Sequence, residues 1–290
     1  MHPRILKELA EVICTPLTII FNASMELGVL PADWKPANIT PIYKKGKKQV
    51  AGNYRPVSLT SILCKVLESI VRDQIVNYMK ENKLFSKKQF GFIGGRSTTL
   101  QLLKVLDKWT SILDRGGAVD VVYFDFMKAL DKVPHGRLIL KLRSYGIDSK
   151  PLSWIQDFLT ERKQRVVVNG EKSLWSAVTS GVPQGSVLGP VLFVIYINDL
   201  PDVIDAGSNM DMFADDTKLY REIKQVADRH VMQSDVDAMD GWSEDWLMKY
   251  HPAKCKVMKM GKLDAEDLGL SELFEPYTLQ GHHLETVDQE

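Results

Sequence analysis

"MFADDTKLY", residues 212–220, sets two carboxylates side by side directly after an apolar run. Adjacent carboxylates repel each other and resist burial. The pair is therefore either a solvated hairpin tip or a place where positive charge belongs. With "REI" added, the stretch reads as a strand, a turn of two or three residues and a second strand. Neighbouring side chains of a regular strand point to opposite faces. Asp215 and Asp216 become equal ligands of one ion only if the turn rotates one of them. Asp215 shares its side with Phe213 and Asp211, and parity does not choose the closer ligand.

Two other stretches supply partners. "AVDVVYFDF" (118–126) is β-branched and aromatic, the composition of a central strand, and Asp125 stands at its end. If the two strand ends lie side by side, three carboxylates converge, and such hard oxygen ligands suit Mg²⁺. Two ions roughly 4 Å apart can activate a 3′-hydroxyl and stabilise a pyrophosphate leaving group. "SGVPQGSVLGP" (180–190) is broken by prolines and glycines, and the apolar run behind it reads as a buried helix.

Around these stretches the chain alternates helix and strand. The first 30 residues have helical periodicity, with Ile5, Leu6, Leu9, Val12 and Ile13 on one face. Short strands are expected around Ile39–Ile42 and Val57–Leu59, separated by a basic loop. A helix follows from Ser61 to Met79, with Ile62, Val66, Ile70 and Ile75 among its apolar positions. "GFIGGRSTT" (91–99) is a glycine-rich bend in which Ser97 or Thr98 can cap the helix 100–113. Helices at 135–145 and 151–162 precede a hairpin with an "NG" turn at 169–170. Gln225–Trp246 is helical, and "CKVMKMG" and "YTLQG" are late strands. These elements define an α+β chain forming one continuous body with lobes.

The net charge of zero conceals an asymmetry: residues 1–100 carry 15 Lys/Arg against 7 Asp/Glu, and residues 201–290 carry 9 against 20. A basic front suits a chain that holds a polyanion at one end, and clustering on solvated faces accounts for it equally well. Cys14, Cys64 and Cys255 have no CxxC spacing, which excludes a disulfide framework and a zinc ribbon. No secretory signal opens the chain, and the longest apolar run, 189–197, is too short to span a bilayer.

"VVYFDFMKALDKVPH", "SGVPQGSVLGPVLFVIYINDLP" and "MFADDTKLY", in this order, resemble motifs A, B and C of the reverse transcriptases of non-LTR retrotransposons, of the CR1 and jockey kind. "WKPANITPIYKKGKKQVAGNYRPVSLTSILCKVLE" resembles their fingers motif 1, "QFGFIGGRSTTLQLL" motif 2 and "WLMKYHPAKCKVM" motif D. The resemblance implies a right-hand polymerase palm, an antiparallel sheet with helices on one face, plus fingers and an incomplete thumb. Residues 1–115 would be mainly fingers, 116–262 mainly palm and 263–290 a motif E-like end, in a truncated fragment of the element. It implies RNA-directed DNA polymerisation with an RNA template, a DNA primer, dNTPs and two Mg²⁺ ions, for which Mn²⁺ can substitute. The residues expected to hold these ions are Asp125, Asp215 and Asp216, assisted by the carbonyl of Phe126. Arg55 would fork onto the incoming triphosphate, with Lys44 or Lys45 as a second candidate. Gln184 and Gly185 would lie near the template base and nucleotide, and Lys254 would protonate pyrophosphate.

The sequence departs from the family at Leu130, where a phenylalanine normally stacks under the sugar and excludes a 2′-hydroxyl; weaker discrimination against ribonucleotides is expected. Met127 and His251 also depart from the pattern without removing a metal ligand. The alternative to an enzyme is a non-catalytic remnant that keeps the fold and at most binds nucleic acid. A metal nuclease would have no use for "PQG" or the fingers motif. The family implies work in the nucleus or cytoplasm, not secretion and not a membrane.

Overall fold

The computed structural model describes residues 3–261 and 275–288. The expected motif E-like end therefore lies partly outside the described residues. In chain order the first elements are α1 (Pro3–Glu8), α2 (Ala10–Leu27), β1 (Ala37–Tyr43), β2 (Tyr54–Leu59), α3 (Ile62–Glu81) and α4 (Thr98–Leu113). Next come β3 (Ala118–Phe124), α5 (Ala129–Lys132), α6 (His135–Ser144), α7 (Ser149–Leu159), β4 (Lys163–Val168), β5 (Glu171–Lys172) and β6 (Ser176–Ala177). The last are α8 (Gly189–Tyr196), β7 (Asn209–Phe213), β8 (Asp216–Ile223), α9 (Val226–Asp245), β9 (Lys256–Met260), β10 (Thr278–Leu279), β11 (His282–His283) and β12 (Glu285–Thr286). The chain forms two compact units, each built from two separated segments: residues 1–84 with 130–196, and 85–129 with 197–290.

In the first unit β1 pairs antiparallel with β2 and parallel with β4, and β4 pairs antiparallel with β5 and β6. The β4–β5 turn has Asn169 at φ +51° and Gly170 at φ +88°, the two left-handed residues that a tight hairpin needs. α8 is apolar all round and almost wholly buried, as such a helix must be. α3 starts at Ser61, whose side chain accepts from the Cys64 amide. Its buried stripe is Cys64, Leu67, Glu68, Val71, Ile75 and Met79, while Val66 and Ile70 stay exposed. α2 docks through Phe21 and Ser24, and Trp154 Nε1 donates to Ser24 Oγ at 2.9 Å. The periodic face of the first helices is not a buried face here: Ile5, Leu9 and Val12 are exposed. By length and composition α2 is long and apolar enough to cross a membrane.

The second unit is built on a sheet of order β12-β9-β3-β8-β7, antiparallel except for the β12–β9 pair. β3 is buried along almost its whole length. Val119 and Val121 pack with Val105, Trp109 and Ile112 of α4 and with Tyr220. The alternate position, Asp120, meets Arg229 of α9 at 3.3 Å and accepts from the Tyr277 hydroxyl at 2.6 Å. Helices α4 and α9 pack on this sheet through these contacts. Both faces of β3 are apolar enough to need a cover. Ser97 caps α4 by accepting from the Leu100 amide.

Candidate active site

The acidic pair lies in the second unit. Phe213 pairs with Asp216 as the last rung of the β7–β8 ladder, so Ala214 and Asp215 form the two-residue loop. Ala214 holds φ +54°. A left-handed first position suits the twist of a tight hairpin, yet a residue with a Cβ is strained there, by roughly 1–3 kcal/mol. β3 and β8 are neighbours and antiparallel, with Phe124 opposite Thr217. Asp125 is thus the residue after the last rung on β3, and Asp216 the one before it on β8.

Asp125 is gripped by the segment leading into β9. Its carbonyl accepts from the His251 amide at 2.8 Å, and its own amide donates to Cys255 Sγ at 3.4 Å. Burial pushes the Cys255 thiol up to about 11, which keeps it neutral beside the aspartate. The Asp125 carboxylate pairs with Lys254 Nζ at 2.7 Å. Two residues that the sequence motifs name separately therefore meet directly. Next door, Phe126 is buried and stacks on Tyr250 at 4.5 Å and 18°. Its ring is committed to the core, and any role toward a nucleotide falls to its backbone.

Among the described residues no group of three or more His, Cys, Asp or Glu side chains is gathered so as to hold a metal ion. The side-by-side strand ends are present; a closed set of three carboxylates is not. Lys254 occupies the Asp125 carboxylate. As a donor set, Asp125, Asp215 and Asp216 are hard oxygen ligands on partly or fully solvent-exposed positions of adjacent chain segments, which fits Mg²⁺ or Mn²⁺ and not a soft metal.

The remaining sequence candidates lie in the first unit. Arg55 is exposed on β2 opposite Ile42, and Lys44 is exposed just beyond the last pair of that hairpin, Tyr43 with Tyr54. The glycine-rich segment before α8 is bound to three other stretches. The Ser58 amide donates to the Gln184 carbonyl at 2.6 Å, and Gln184 Nε2 donates to Asp131 Oδ1 at 2.8 Å. The Val182 amide donates to the Leu130 carbonyl at 2.7 Å, and the Gly181 amide to the Val133 carbonyl at 2.8 Å. His135 Nε2 donates to the Gly181 carbonyl at 2.8 Å, and burial lowers the imidazole pKa. Gly185 holds φ +112°, and a Cβ there would stand 2.6 Å from the Ser58 carbonyl oxygen. The structure thus brings Leu130, Gln184 and Gly185 together beside the strand that carries Arg55.

Two buried side chains escape the sequence reading. Glu68, fully buried on α3, accepts from the amides of Val187 and Leu188 at 2.7 and 3.1 Å. Its signal was available: a carboxylate in register with Cys64, Val71 and Ile75 on an apolar stripe. Gln89, also fully buried, accepts from the amides of Ala214 and Gly91 at 2.9 and 2.7 Å. It sits in irregular chain, where no periodicity exposes it. Asp211 is likewise buried and pairs with Lys104 at 2.6 Å while accepting from the Tyr220 hydroxyl at 2.9 Å, which ties α4 to β7 behind the acidic turn.

The comparisons with known proteins place this fold in a family. The family described as reverse transcriptase (RNA-dependent DNA polymerase) matches residues 42–274, and the chain belongs to that family. Within it, the chain is 31% identical over 247 residues to the RNA-directed DNA polymerase from mobile element jockey of Drosophila melanogaster, covering 82% of this chain and 27% of that one. It is 31% identical over 243 residues to the probable RNA-directed DNA polymerase from transposon X-element of the same organism, with the same coverages. The chain thus spans about a quarter of the length of these curated relatives, 27%. The apo telomerase of Candida tropicalis, truncated from its C-terminal domain, shares the fold at a TM-score of 0.59 and 11% identity, covering 81% of this chain and 52% of that one.

Proposed function

We propose that this chain is the nucleotidyl-transferring part of an RNA-directed DNA polymerase, extending a DNA primer on an RNA template with dNTPs. The observation that supports the reading is the antiparallel β3–β8 pair, in which Asp125 follows the last rung, Phe124 with Thr217, on β3 and Asp216 precedes it on β8, with Asp215 in the adjoining turn. Asp125, Asp215 and Asp216, with the Phe126 carbonyl, would hold two Mg²⁺ ions, or Mn²⁺ in their place. Such ions supply a Lewis acid for the attacking 3′-hydroxyl and counter-charge for the leaving pyrophosphate.

The chain's own residues do the rest. Arg55, exposed and planar, forks onto the triphosphate oxygens, and Lys44 adds a second positive charge on the same hairpin. Gly185 leaves its backbone bare for a close approach, and Gln184 holds that loop through Asp131. Leu130 takes the position under the sugar. Lys254, paired with Asp125 in this structure, carries the proton available to pyrophosphate once it leaves the carboxylate.

The test is primer extension on an RNA template with Mg²⁺ or Mn²⁺, comparing the protein with its Asp215→Ala/Asp216→Ala variant. Extension should fall on the order of 1,000-fold or more in the variant, the scale of losing preorganised charge stabilisation. Equal signals from both proteins would remove the catalytic reading and leave a remnant that binds nucleic acid at most.

A further inference from the structure

The acidic turn is strained at a residue that is not glycine, so something must hold it. Ala214 keeps φ +54°, and its peptide groups are bound on both sides by one buried side chain. Gln89 Oε1 accepts from the Ala214 amide at 2.9 Å, while Gln89 Nε2 donates to the Ala214 carbonyl at 3.2 Å. The same Oε1 accepts from the Gly91 amide at 2.7 Å, so the primary amide has no torsional freedom left. A carboxamide donates to a carbonyl and accepts from an amide in one plane, as a paired strand would.

The segment carrying Gln89 is itself anchored to the sheet edge. The Met212 amide donates to the Lys88 carbonyl and the Phe90 amide to the Met212 carbonyl, both at 2.8 Å. Arg96, half-buried, donates to the Ser86 carbonyl at 2.6 Å and also to the Gln89 carbonyl. At Gly91 a Cβ would lie 2.3 Å from the Ala214 nitrogen, so only glycine admits this approach. An edge strand would otherwise end in open amides; here the edge is closed and its last rung is a side chain.

We propose that Gln89 is a positioning residue, holding the Ala214–Asp215 turn in its left-handed conformation and thereby setting where Asp215 and Asp216 point. The proposal rests on the polymerase reading for its catalytic consequence and on the hydrogen bonds alone for its structural one.

The experiment compares the protein with Gln89→Met, which keeps volume and loses every polar contact, and with Gln89→Glu, which keeps the accepting oxygens and loses the donated bond. Hydrogen–deuterium exchange of the Ala214 amide is read beside steady-state primer extension. In Gln89→Met that amide should exchange roughly 10-fold faster, the equivalent of one lost hydrogen bond. Its kcat should fall on the order of 10- to 100-fold, as for a reacting group misplaced by about 1 Å. The dNTP KM and primer–template affinity should stay within about 2-fold, since ground-state binding is untouched. Gln89→Glu should recover the amide protection and part of kcat. Unchanged Ala214 exchange in Gln89→Met overturns the proposal, as does faster exchange with unchanged kcat. If Gln89→Met does not fold, Gln89→Glu decides: kcat equal to that of the parent protein overturns it. If the parent protein extends no primer, the polymerase reading falls, and the exchange measurement alone judges the clamp.

Discussion

The acidic turn of the second unit and the glycine segment of the first are both irregular loops to which a buried polar side chain is bound, yet they present opposite chemistry. The turn offers side chains: Asp215 and Asp216 sit on a hairpin whose register does the placing. The segment before α8 offers backbone: Gly185 at φ +112° has no side chain, which lets the segment close onto the Ser58 carbonyl. Gln89 clamps the first through an amide that donates and accepts. Glu68 clamps the second through an acceptor shared by two amides. A site that works through carboxylates tolerates strain beside them if the ladder carries the load. A site that works through bare backbone depends on glycine and on every amide having a partner.

The difference predicts unequal sensitivity. Gly185→Ala should be the most damaging change in the first unit. It adds to left-handed strain of about 1–3 kcal/mol a Cβ only 2.6 Å from the Ser58 carbonyl oxygen, an overlap that backbone must move to relieve, and it lowers the melting temperature together with extension. A variant that melts and extends like the parent would mean that the segment relaxes freely, and the contrast with the acidic turn would collapse.

Glu68→Ala comes next. It strands the Val187 and Leu188 amides, and each buried unsatisfied donor costs roughly 1–3 kcal/mol, so denaturation should shift accordingly. Glu68→Gln keeps one accepting oxygen and should lie between. A denaturant midpoint unchanged by Glu68→Ala would show that water replaces the carboxylate.

Acid should weaken the glycine segment first. Burial lowers the His135 pKa below its ordinary 6.5, so the folded state favours the neutral ring. Its contribution is complete above pH 6.5 and is lost as the pH falls through the depressed folded value. Stability measured from pH 7.5 downward should therefore decline below about 6.5, and His135→Gln should flatten that part of the profile. A decline of the same size in His135→Gln would place the titrating group elsewhere.

Leu130→Phe should have the smallest effect. Leu130 is half-buried and tied by its carbonyl to Val182, so a larger planar ring tests the space beneath the sugar. Discrimination of dNTP over rNTP should rise by about 10-fold, the scale on which a change of one methylene in an apolar pocket alters selectivity. Equal selectivity in both proteins would separate Leu130 from sugar recognition.

Most elements were legible from sequence because their signals are local. β7 and β8 were visible as two runs around an acidic pair, α8 as an apolar run behind glycines, and the β4–β5 turn as Asn169–Gly170. α3 was visible as a helix, but its buried face was not: Val66 and Ile70 are exposed and Glu68 is inside. Hydrophobicity alone ranks an isoleucine above a glutamate for burial, and only the two amides of Val187 and Leu188 reverse that order. The apolar face of the first helices failed as a burial signal for the complementary reason. Periodicity marks a face that can be covered, not the element that covers it.

The acids, their separation along the chain and a hairpin turn of two or three residues followed from sequence by itself, because strand period and turn chemistry act within a few residues. Tertiary structure decided what surrounds them. Lys254 lies against Asp125 across 129 residues of chain, and Gln89 against Ala214 across 125. Such contacts depend on how the sheet orders its strands. A single sequence carries no periodicity at those distances, so the partners of the acidic turn became visible only when the strands were paired.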